Sequence, residues 1–479
     1  MSDQVAFAAV DLGATSGRVM LAHVENGRVS MHATARFANV PLQLPDGIHW
    51  NISALYQGAL GGLSTAFRER PSIVSVGIDS WAVDYALLRG DSLLNLPFHY
   101  RDQRSVAGVE AVHTSTPHRQ LYPDNGLQFL HFNTLYQLAS ESASGMLDCA
   151  DSILLIPDLI TFWLTGQRTA ERTNASTSGL LNVHSDDWNF DLARTVGVSS
   201  SQLPPLIDPG THVGSLRPAV ARDVGAPSGA AVVAVGSHDT ASAVAAVPLA
   251  SPDAAYISCG TWGLVGLELD HPILTEDARR ANFTNERAID GRTRFLTNAM
   301  GLWLLTETIR TWESTGETID FAALLTAASA VSGPIAIFDA NDARFHSSGD
   351  QQARIRDWCS EHGIPAPVDK AQTVRSIIES IAEAFALAVR TASALAKVAT
   401  PAIHIVGGGS LNTLLCQAVA DRSGLPVFAG PDEATSLGNV LVQAQAAGAI
   451  GDTPDDMREI VRNSVELRRF QPRGWRDSR

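Results

Sequence analysis

The sequence is poor in cysteine and lacks long apolar runs. Its four cysteines are far apart and include no C-x-x-C pair, so we expect reduced thiols and neither a disulfide framework nor a zinc site. No window approaches the roughly 18 consecutive apolar residues that a membrane-spanning helix needs. The first residues show neither a basic nor an apolar leader region. These absences predict a cytoplasmic protein without a membrane partner.

Basic charge is also scarce, since 35 Lys and Arg face 50 Asp and Glu and the net charge is −15. Proteins that bind nucleic acid need a basic surface, so we expect no nucleic-acid partner. A nucleotide site remains compatible with this charge, because backbone amides can hold phosphates locally. A length of 479 residues with 45% hydrophobic and 18% charged residues predicts a well-packed protein of two domains.

A strand–turn–strand pattern occurs once in each half of the chain. The first copy has strands over 5–11 and 17–24. Asn26-Gly27 follows the second strand and predicts a hairpin turn, because both residues tolerate positive φ. The second copy has strands over 254–258 and 262–269. One such hairpin in each domain could hold a polyphosphate from both sides of a cleft.

Strands alternate with helices elsewhere in both halves, which predicts an α/β fold with two domains. Helices are expected over 154–164, ended by Gly166, and over 374–398. The pattern breaks at 244–254, where Pro and Ser interrupt it. We therefore expect domains at residues 1–247 and 248–479.

The turn of the first hairpin is rich in glycine and hydroxyl residues. Small residues let backbone amides approach phosphate oxygens, and hydroxyls and an arginine add donors. Asp11 at the end of the strand can hold Mg²⁺ through water. An ordinary glycine-rich hairpin turn explains the pattern as well, and no Walker A lysine follows. The candidate nucleotide-binding residues are Ala14, Thr15, Ser16, Gly17 and Arg18.

A polar cluster follows the apolar strand 231–235, at the strand end where α/β folds place ligands. Asp239 can act as a general base that takes the proton of an attacking hydroxyl. It can equally be the N-cap of a helix that starts at Thr240. His238 is expected to be structural or to position the substrate.

Two further segments can contact phosphate. In Cys259-Gly260-Thr261 the threonine hydroxyl and the amides around the glycine are donors, although a buried hairpin is an equal explanation. Gly407-Gly408-Gly409 joins a strand to a helix, which permits close approach of a ligand or simply a tight turn. Weaker candidates are Trp81, as an apolar face for a sugar ring, and Asp84 and Arg101, as groups that bind hydroxyls.

Taken in order, these segments resemble the FGGY carbohydrate kinases of the actin–hexokinase superfamily, and in particular their rhamnulokinase branch. The resemblance covers nearly the whole chain. The phrases that carry it most specifically are A-V-D-L-G-A-T-S-G-R at 9–18, G-I-D-S-W-A-V-D at 77–84, L-Q-F-L-H-F-N-T-L-Y-Q at 127–137, S-H-D-T-A-S-A at 237–243, S-C-G-T-W at 258–262, H-I-V-G-G-G-S at 404–410 and A-G-P-D-E-A-T-S-L-G-N at 429–439.

The resemblance implies two ribonuclease-H-like domains around a central cleft that closes on ATP, Mg²⁺ and a ketose. It implies phosphorylation of L-rhamnulose at the 1-hydroxyl in L-rhamnose catabolism, by a monomer or homodimer. Asp239 matches the catalytic base. The matching nucleotide positions are Ala14 to Arg18, Thr261, Thr306 and Gly408, and the matching sugar positions are Ala82, His238, Asp239, Thr240 and Asn298.

Two positions depart from the family pattern. Ala82 replaces the usual glycine at a sugar contact, and one methyl group changes ligand preference by only ~1–3 kcal/mol. Thr306 replaces the usual glutamine near the nucleotide. Ala82 keeps a second hypothesis open, a kinase for L-fuculose, L-ribulose or xylulose. A third hypothesis is a catalytically silent sugar- or nucleotide-binding regulator, against which the intact Asp11, Asp239 and Thr261 argue.

Overall fold

The computed structural model describes residues 4–473. Its strands are β1 (Val5–Leu12), β2 (Ser16–Glu25), β3 (Arg28–Ala38), β4 (Leu42–Leu44), β5 (Gly47–His49), β6 (Ile73–Ser80), β7 (Tyr85–Arg89), β8 (Ser92–Leu93), β9 (Ser152–Leu155), β10 (Ala170–Glu171), β11 (Leu181–Asn182), β12 (Asp187–Trp188), β13 (Leu206–Ile207), β14 (His212–Ser215), β15 (Ala231–Val233), β16 (Ala255–Cys259), β17 (Trp262–Leu269), β18 (Thr284–Arg287), β19 (Thr293–Met300), β20 (Ile403–Val406), β21 (Val427–Ala429) and β22 (Arg468–Phe470).

The helices alternate with these strands along the chain. They are α1 (Ile52–Glu69), α2 (Ser105–Ser115), α3 (His118–Asn125), α4 (Thr134–Ser144), α5 (Ile156–Thr165), α6 (Arg172–Ala175), α7 (Phe190–Thr195), α8 (Pro218–Val224), α9 (Asp239–Ala245), α10 (Glu276–Arg280), α11 (Trp303–Ser314), α12 (Phe321–Ala330), α13 (Gln351–Glu361), α14 (Lys370–Ala396), α15 (Thr413–Ser423), α16 (Ala434–Ala446) and α17 (Pro454–Ser464).

The chain forms two compact units that are not consecutive in sequence. The first unit contains residues 4–248, Glu268–Phe295 and Glu433–Val465, and the second contains Leu249–Leu267, Leu296–Asp432 and residues 466–473. The first change of unit, after Pro248, falls next to the expected boundary. The segment Glu433–Val465 returns to the first unit through α16, which packs on the central strands β1 and β6.

The first unit is built on a six-stranded sheet with the order β14-β15-β6-β1-β2-β3. Strands β1, β6 and β15 are parallel, whereas β2 and β3 are antiparallel to their neighbours. Both alternating faces of β1 are buried, because helices α1 and α16 pack on the sheet. The turn between β2 and β3 has Asn26 at φ 50° and Gly27 at φ 71°, which confirms the predicted hairpin.

Helix α16 carries an unusual row of polar residues against this sheet. Gln443 donates to the carbonyl oxygen of Ala8 in β1 and accepts from the hydroxyl of Ser75 in β6. On the neighbouring helix α9, the backbone of Ser242 lies so close that any side chain at Gly438 would collide with it. The polar row holds α16 on the sheet, and Gly438 lets α9 pack closely against α16.

The second unit repeats the central part of the first. Its strands β17-β16-β20-β21-β22 are neighbours in that order, with β16 antiparallel to β17 and parallel to β20. Helix α14 confirms the helix predicted over 374–398. It begins earlier, at Lys370, because the Asp369 side chain accepts a hydrogen bond from the amide of Gln372.

The helix predicted over 154–164 is wrong in its first two residues. Leu154 and Leu155 belong to β9, where they pair with Ala86 and Tyr85 of β7. The long-range strand pairing overrides the apolar helical pattern, and the predicted end of the helix at Gly166 is confirmed by its φ of 87°. Among residues 4–473, no helix is both long and apolar enough to cross a bilayer.

Candidate active site

Two buried aspartates lie side by side in the first unit. Asp11 in β1 and Asp79 in β6 are direct partners in the parallel pairing, and they are 3% and 0% exposed. Helix α16 supplies a donor to each: Ser436 Oγ lies 3.0 Å from Asp11 Oδ2, and Asn439 donates to Asp79 Oδ2. The helix therefore accommodates two carboxylates that would otherwise be poorly solvated.

The two carboxyl groups have raised pKa values. Burial raises the pKa of Asp11 to about 6, with the positive charge of Arg18 opposing the shift and the negative charge of Asp239 adding to it. Burial, and then the charge of Asp11, raise the pKa of Asp79 well above its usual range. These mutual effects show that Asp11, Asp79 and Asp239 share one electrostatic environment.

Oxygen ligands for a hard cation are available in this environment. Asp79 Oδ1 is buried and has no hydrogen-bond partner among residues 4–473, and Asp11 was predicted to hold Mg²⁺ through water. In the described part of the chain, no group of three or more His, Cys, Asp and Glu side chains is arranged as a metal cage. Two neighbouring carboxyl groups, Asp11 and Asp79, suit an ion that keeps most of its waters, as Mg²⁺ does.

Asp239 is the first residue of α9, and its carboxylate does not cap the helix. The N-cap is His238, which makes no capping hydrogen bond with its side chain. The Asp239 side chain is 30% exposed, lies 3.5 Å from His238 Nε2 and accepts a hydrogen bond from Thr240 Oγ1 at 3.0 Å. The N-cap explanation for Asp239 is wrong, and its carboxylate has room to accept a proton.

The loop before α9 is held by a buried glutamate that the sequence did not single out. Glu171, 1% exposed, accepts hydrogen bonds from the amide and hydroxyl of Ser237 at 2.9 and 2.7 Å. It also accepts from the amide and hydroxyl of Thr173, and the Thr173 hydroxyl in turn accepts from the amide of His238. The backbone of Ser237 and the amide of His238 are thereby fixed.

The same loop lies beside the ends of β1 and β6. Ser80 at the end of β6 donates its amide to the carbonyl oxygen of Ser237 and forms an isolated parallel bridge with His238. The amide of Trp81 donates to the carbonyl oxygen of Leu12. The strand ends thus bring the first hairpin turn, the segment around Ala82 and the Asp239 loop together.

The first hairpin turn presents free amides at its tip. The amides of Ala14 and Thr15 donate to no acceptor within residues 4–473, whereas the carbonyl oxygens of Gly13, Thr15 and Ser16 each accept one hydrogen bond. Thr15 is exposed and Ser16 is half-buried. These groups are free to contact a phosphate, and the phosphate site itself stays a prediction.

Gly17 and Arg18 of the same turn have structural partners. Gly17 is buried, and any side chain there would collide with the ring of Phe37. Arg18 pairs with Glu433 and lies 3.5 Å from Asp11. The predicted role of these two residues in nucleotide binding stays a prediction, and the contacts present join β2 to the segment that precedes α16.

The segment around Ala82 is a tight turn over a buried carboxylate. Val83 has φ 68°, an uncommon value for a β-branched residue, and the amide of Asp84 donates to the carbonyl oxygen of Ala82. Ala82 itself is half-buried. Strained backbone of this kind persists only where the surrounding structure holds it in place.

Asp84 is what holds this turn. Its carboxylate accepts hydrogen bonds from the indole nitrogens of Trp50 and Trp81, from the amide of Tyr100 and from the side chain of Gln137. Burial raises the pKa of Asp84 to about 6, although these donors lower it. These contacts give Asp84 a structural role. Trp81 is 5% exposed and packs on Trp50, so it supports the turn, and its predicted role as an apolar face for a sugar ring stays a prediction.

In the second unit the predicted nucleotide residues converge on the β16–β17 turn. A side chain at Gly409 would collide with Cys259, and a Cβ at Gly407 would lie 3.0 Å from the carbonyl oxygen of Cys259. The triple-glycine loop therefore packs directly against the turn that contains Thr261. Gly408 at the tip of this loop is exposed, and nothing lies within 4 Å of a Cβ added there.

Thr306 lies in a helix whose first residues are hydrogen-bonded to the same turn. The amides of Leu302 and Trp303, at the start of α11, donate to the carbonyl oxygens of Gly260 and Thr261, which places the exposed Thr306 one turn into that helix. Asn298 is half-buried in β19. Thr261, Thr306 and Gly408 thus share one region of the second unit.

The chain matches one family of known proteins along nearly its whole length. Residues 6–246 match the N-terminal domain of the FGGY family of carbohydrate kinases, and residues 255–447 match its C-terminal domain. A rhamnulokinase of Bacteroides thetaiotaomicron is 36% identical over 469 residues, which cover 97% of this chain and 96% of the relative. A rhamnulokinase of Pectobacterium carotovorum is 40% identical over 477 residues, covering 98% and 93%.

Solved structures share the fold. A gluconate kinase from Lactobacillus acidophilus superposes with a TM-score of 0.78 at 17% sequence identity, covering 98% of this chain and 94% of its own. A glycerol kinase from Plasmodium falciparum, solved with ADP, gives a TM-score of 0.77 at 14% identity over the same shares of the two chains. These likenesses confirm the predicted two-domain α/β fold.

Proposed function

This chain belongs to the FGGY family of carbohydrate kinases, and on that premise we propose that it transfers the γ-phosphoryl group of ATP to the 1-hydroxyl of L-rhamnulose, giving L-rhamnulose 1-phosphate and ADP. The observation that carries the substrate assignment is the full-length identity of 36–40% to proteins named rhamnulokinase. The location in the cytoplasm and a monomeric or homodimeric state remain predictions from the sequence.

Asp239 supplies the general base in this proposal. It is partly exposed at the start of α9, so a sugar hydroxyl can reach its carboxylate. The carboxylate accepts the proton that this hydroxyl loses when it attacks the phosphoryl group. Thr240 keeps the carboxylate oriented through its hydrogen bond.

Each unit offers backbone donors that suit a phosphate group of ATP. In the first unit these are the amides of Ala14 and Thr15, which have no acceptor within the described residues. In the second unit they are the groups around Thr261 and Gly408. Asp11, with Asp79 beside it, would hold Mg²⁺ through water, and the bound ion would neutralise charge on the transferring phosphoryl group.

A second ketose is the alternative substrate, and the observation that favours it is Ala82. The turn that carries Ala82 is tightly held by Asp84, so it cannot move away to compensate for the additional methyl group. The methyl group of Ala82 would therefore crowd the bound sugar and lower its affinity. L-Fuculose, L-ribulose and xylulose are the candidates.

A panel of ketoses decides between these substrates. ADP release is coupled to a spectrophotometric assay with L-rhamnulose, L-fuculose, L-ribulose and xylulose, each at several concentrations. We expect the highest kcat/KM with L-rhamnulose. A higher value with another ketose would replace the substrate, and no ADP release with any sugar would support the silent regulator.

A further inference from the structure

The ring of His238 lies in a buried cluster of charged side chains. Glu286 in β18 and Arg294 in β19 are 5% and 0% exposed, and both belong to the first unit, as His238 does. Arg294 Nη2 lies 3.1 Å from His238 Nδ1. Glu286 Oε2 lies 3.1 Å from Arg294 Nη2 and 3.3 Å from His238 Nδ1.

The hydrogen bond between Arg294 and His238 has only one possible direction. A guanidinium group carries N–H donors and no acceptor, and it remains protonated in proteins. In this hydrogen bond His238 Nδ1 accepts and carries a lone pair, which leaves the ring proton on Nε2. This nitrogen is on the side of the ring that faces Asp239, 3.5 Å from its Oδ1. The competing arrangement is an Nδ1–H that donates to Glu286 Oε2, 3.3 Å away.

Glu286 balances the charge of this cluster. Burial raises the pKa of Glu286, but Arg294 and His238 together lower it further, so the pKa lies below its usual value. A buried arginine without such a partner would be costly. Arg294 is anchored further by its Nε, which donates to the carbonyl oxygen of Arg287 at 3.0 Å.

We propose that Arg294 is a positioning residue that fixes the Nε2–H tautomer of His238 and thereby places a hydrogen-bond donor beside Asp239. That donor is directed at the oxygen of the acceptor hydroxyl. A hydroxyl that accepts from Nε2–H through its oxygen has its own proton free to point at the Asp239 carboxylate. The role toward substrate rests on the proposed function, whereas the tautomer itself does not.

The tautomer is measured first in the unmodified protein. The protein is labelled with ¹⁵N in its histidine rings, and the His238 signals in long-range ¹H–¹⁵N spectra are assigned by their loss in His238→Gln. We expect Nδ1 to resonate as an unprotonated nitrogen and Nε2 as a protonated one. A protonated Nδ1 would overturn the proposal. This result is independent of activity, so it stands even if no ketose is phosphorylated.

Variants then test whether Arg294 causes this state. Arg294→Met combined with Glu286→Gln removes the donor while keeping the buried charge balanced. We expect loss of the Nε2–H preference and a fall in kcat of about 10- to 100-fold, with KM for ATP unchanged. An unchanged tautomer, or a changed tautomer with wild-type kcat, would overturn the proposal.

Two single variants are matched to that experiment. Arg294→Lys keeps a charged donor, so it should retain most of the Nε2–H population and part of the lost kcat. Glu286→Gln keeps Arg294 and should leave Nδ1 unprotonated. If Glu286→Gln alone protonated Nδ1, the carboxylate rather than Arg294 would set the tautomer, contrary to the proposal.

Discussion

The two units contain the same strand arrangement but surround it with different chemistry. In the first, hairpin β1–β2 lies beside the parallel strand β6, and in the second, hairpin β16–β17 lies beside the parallel strand β20. The first copy is surrounded by Asp11, Asp79, Arg18 and Glu433. The second copy is packed against three consecutive glycines that follow β20.

This difference indicates a division of roles. Buried carboxylates with raised pKa values can hold a cation and attract a proton, which suits the reacting end of the substrates. Glycine loops present backbone amides without charge and permit close approach, which suits the nucleotide. We therefore expect changes to Asp239 or Ala82 in the first unit to affect phosphoryl transfer or sugar choice, and changes to the glycine loop of the second unit to affect ATP affinity.

Asp239→Asn should give the largest effect. Asparagine keeps the size of the side chain and can still accept from Thr240, but it cannot take the hydroxyl proton. We expect kcat for ketose phosphorylation to fall about a thousandfold, while ADP binding measured by calorimetry stays at the wild-type value.

The matched control is Asp253→Asn, an exposed aspartate of the second unit, which should retain full activity. Turnover of Asp239→Asn within a few-fold of the wild type would show that another group accepts the proton. A large loss of ADP affinity in the same variant would contradict the proposed division of roles between the two units.

Asp84→Ala should cost stability. It would leave the donors of Trp50, Trp81, Tyr100 and Gln137 without their buried acceptor, so we expect the free energy of unfolding to fall by about 3–5 kcal/mol. Urea denaturation followed by tryptophan fluorescence measures this change. A loss below 1 kcal/mol would mean that the turn around Ala82 does not depend on Asp84.

The pH dependence of stability provides a matched test of the same carboxylate. The pKa of Asp84 is raised from 3.8 to about 6, so the folded state binds its proton more tightly than the unfolded chain does. The stabilisation from this group is complete below about pH 4 and is lost as the pH rises through about 6. Asp84→Asn should remove that part of the slope, and an unchanged slope would contradict the assignment.

Gly408→Val should weaken ATP binding by about tenfold. Nothing lies within 4 Å of a Cβ at this position, so valine fits the protein but occupies the space next to the loop amides. KM for ATP should rise while KM for the ketose is unchanged, as steady-state kinetics will show. Gly61→Val, at an equally open position in α1, is the control, and an equal rise in both variants would exclude a specific effect of Gly408.

Ala82→Gly should give the smallest effect, below tenfold. Ala82 is a predicted sugar contact, so we expect the loss of its methyl group to enlarge the space for the sugar slightly. The ratio of kcat/KM values between L-rhamnulose and the next best ketose should change, while KM for ATP does not. An unchanged ratio would show that Ala82 does not contact the sugar.

Local signals in the sequence predicted much of the fold. Asn26-Gly27 specified the β2–β3 turn and Gly166 ended α5, because each depends on the conformation of one or two residues. The first residues of the helix predicted over 154–164 were wrong, since Leu154 and Leu155 are fixed by pairing with β7. Pairing partners distant in sequence leave no local signal.

The same limit applies to the candidate site. Asp11, Asp239 and Gly408 stand out at strand ends, where ligands usually bind. Glu171, Glu286 and Arg294 instead contact the loop before α9, which is far from them in the chain. A charged residue inside an apolar strand, as Arg294 is in β19, was the one available sign. Its partner could not be deduced from sequence.

The structure of the product tests the proposed reaction most directly. The protein is incubated with ATP, Mg²⁺ and L-rhamnulose, and the sugar phosphate is analysed by proton-coupled ³¹P NMR. Phosphate on the primary 1-hydroxyl couples to the two protons of one methylene group, so we predict a triplet from a phosphomonoester together with equimolar ADP. A doublet, from a phosphate on a secondary hydroxyl, or ADP accompanied only by inorganic phosphate, would contradict the proposed function.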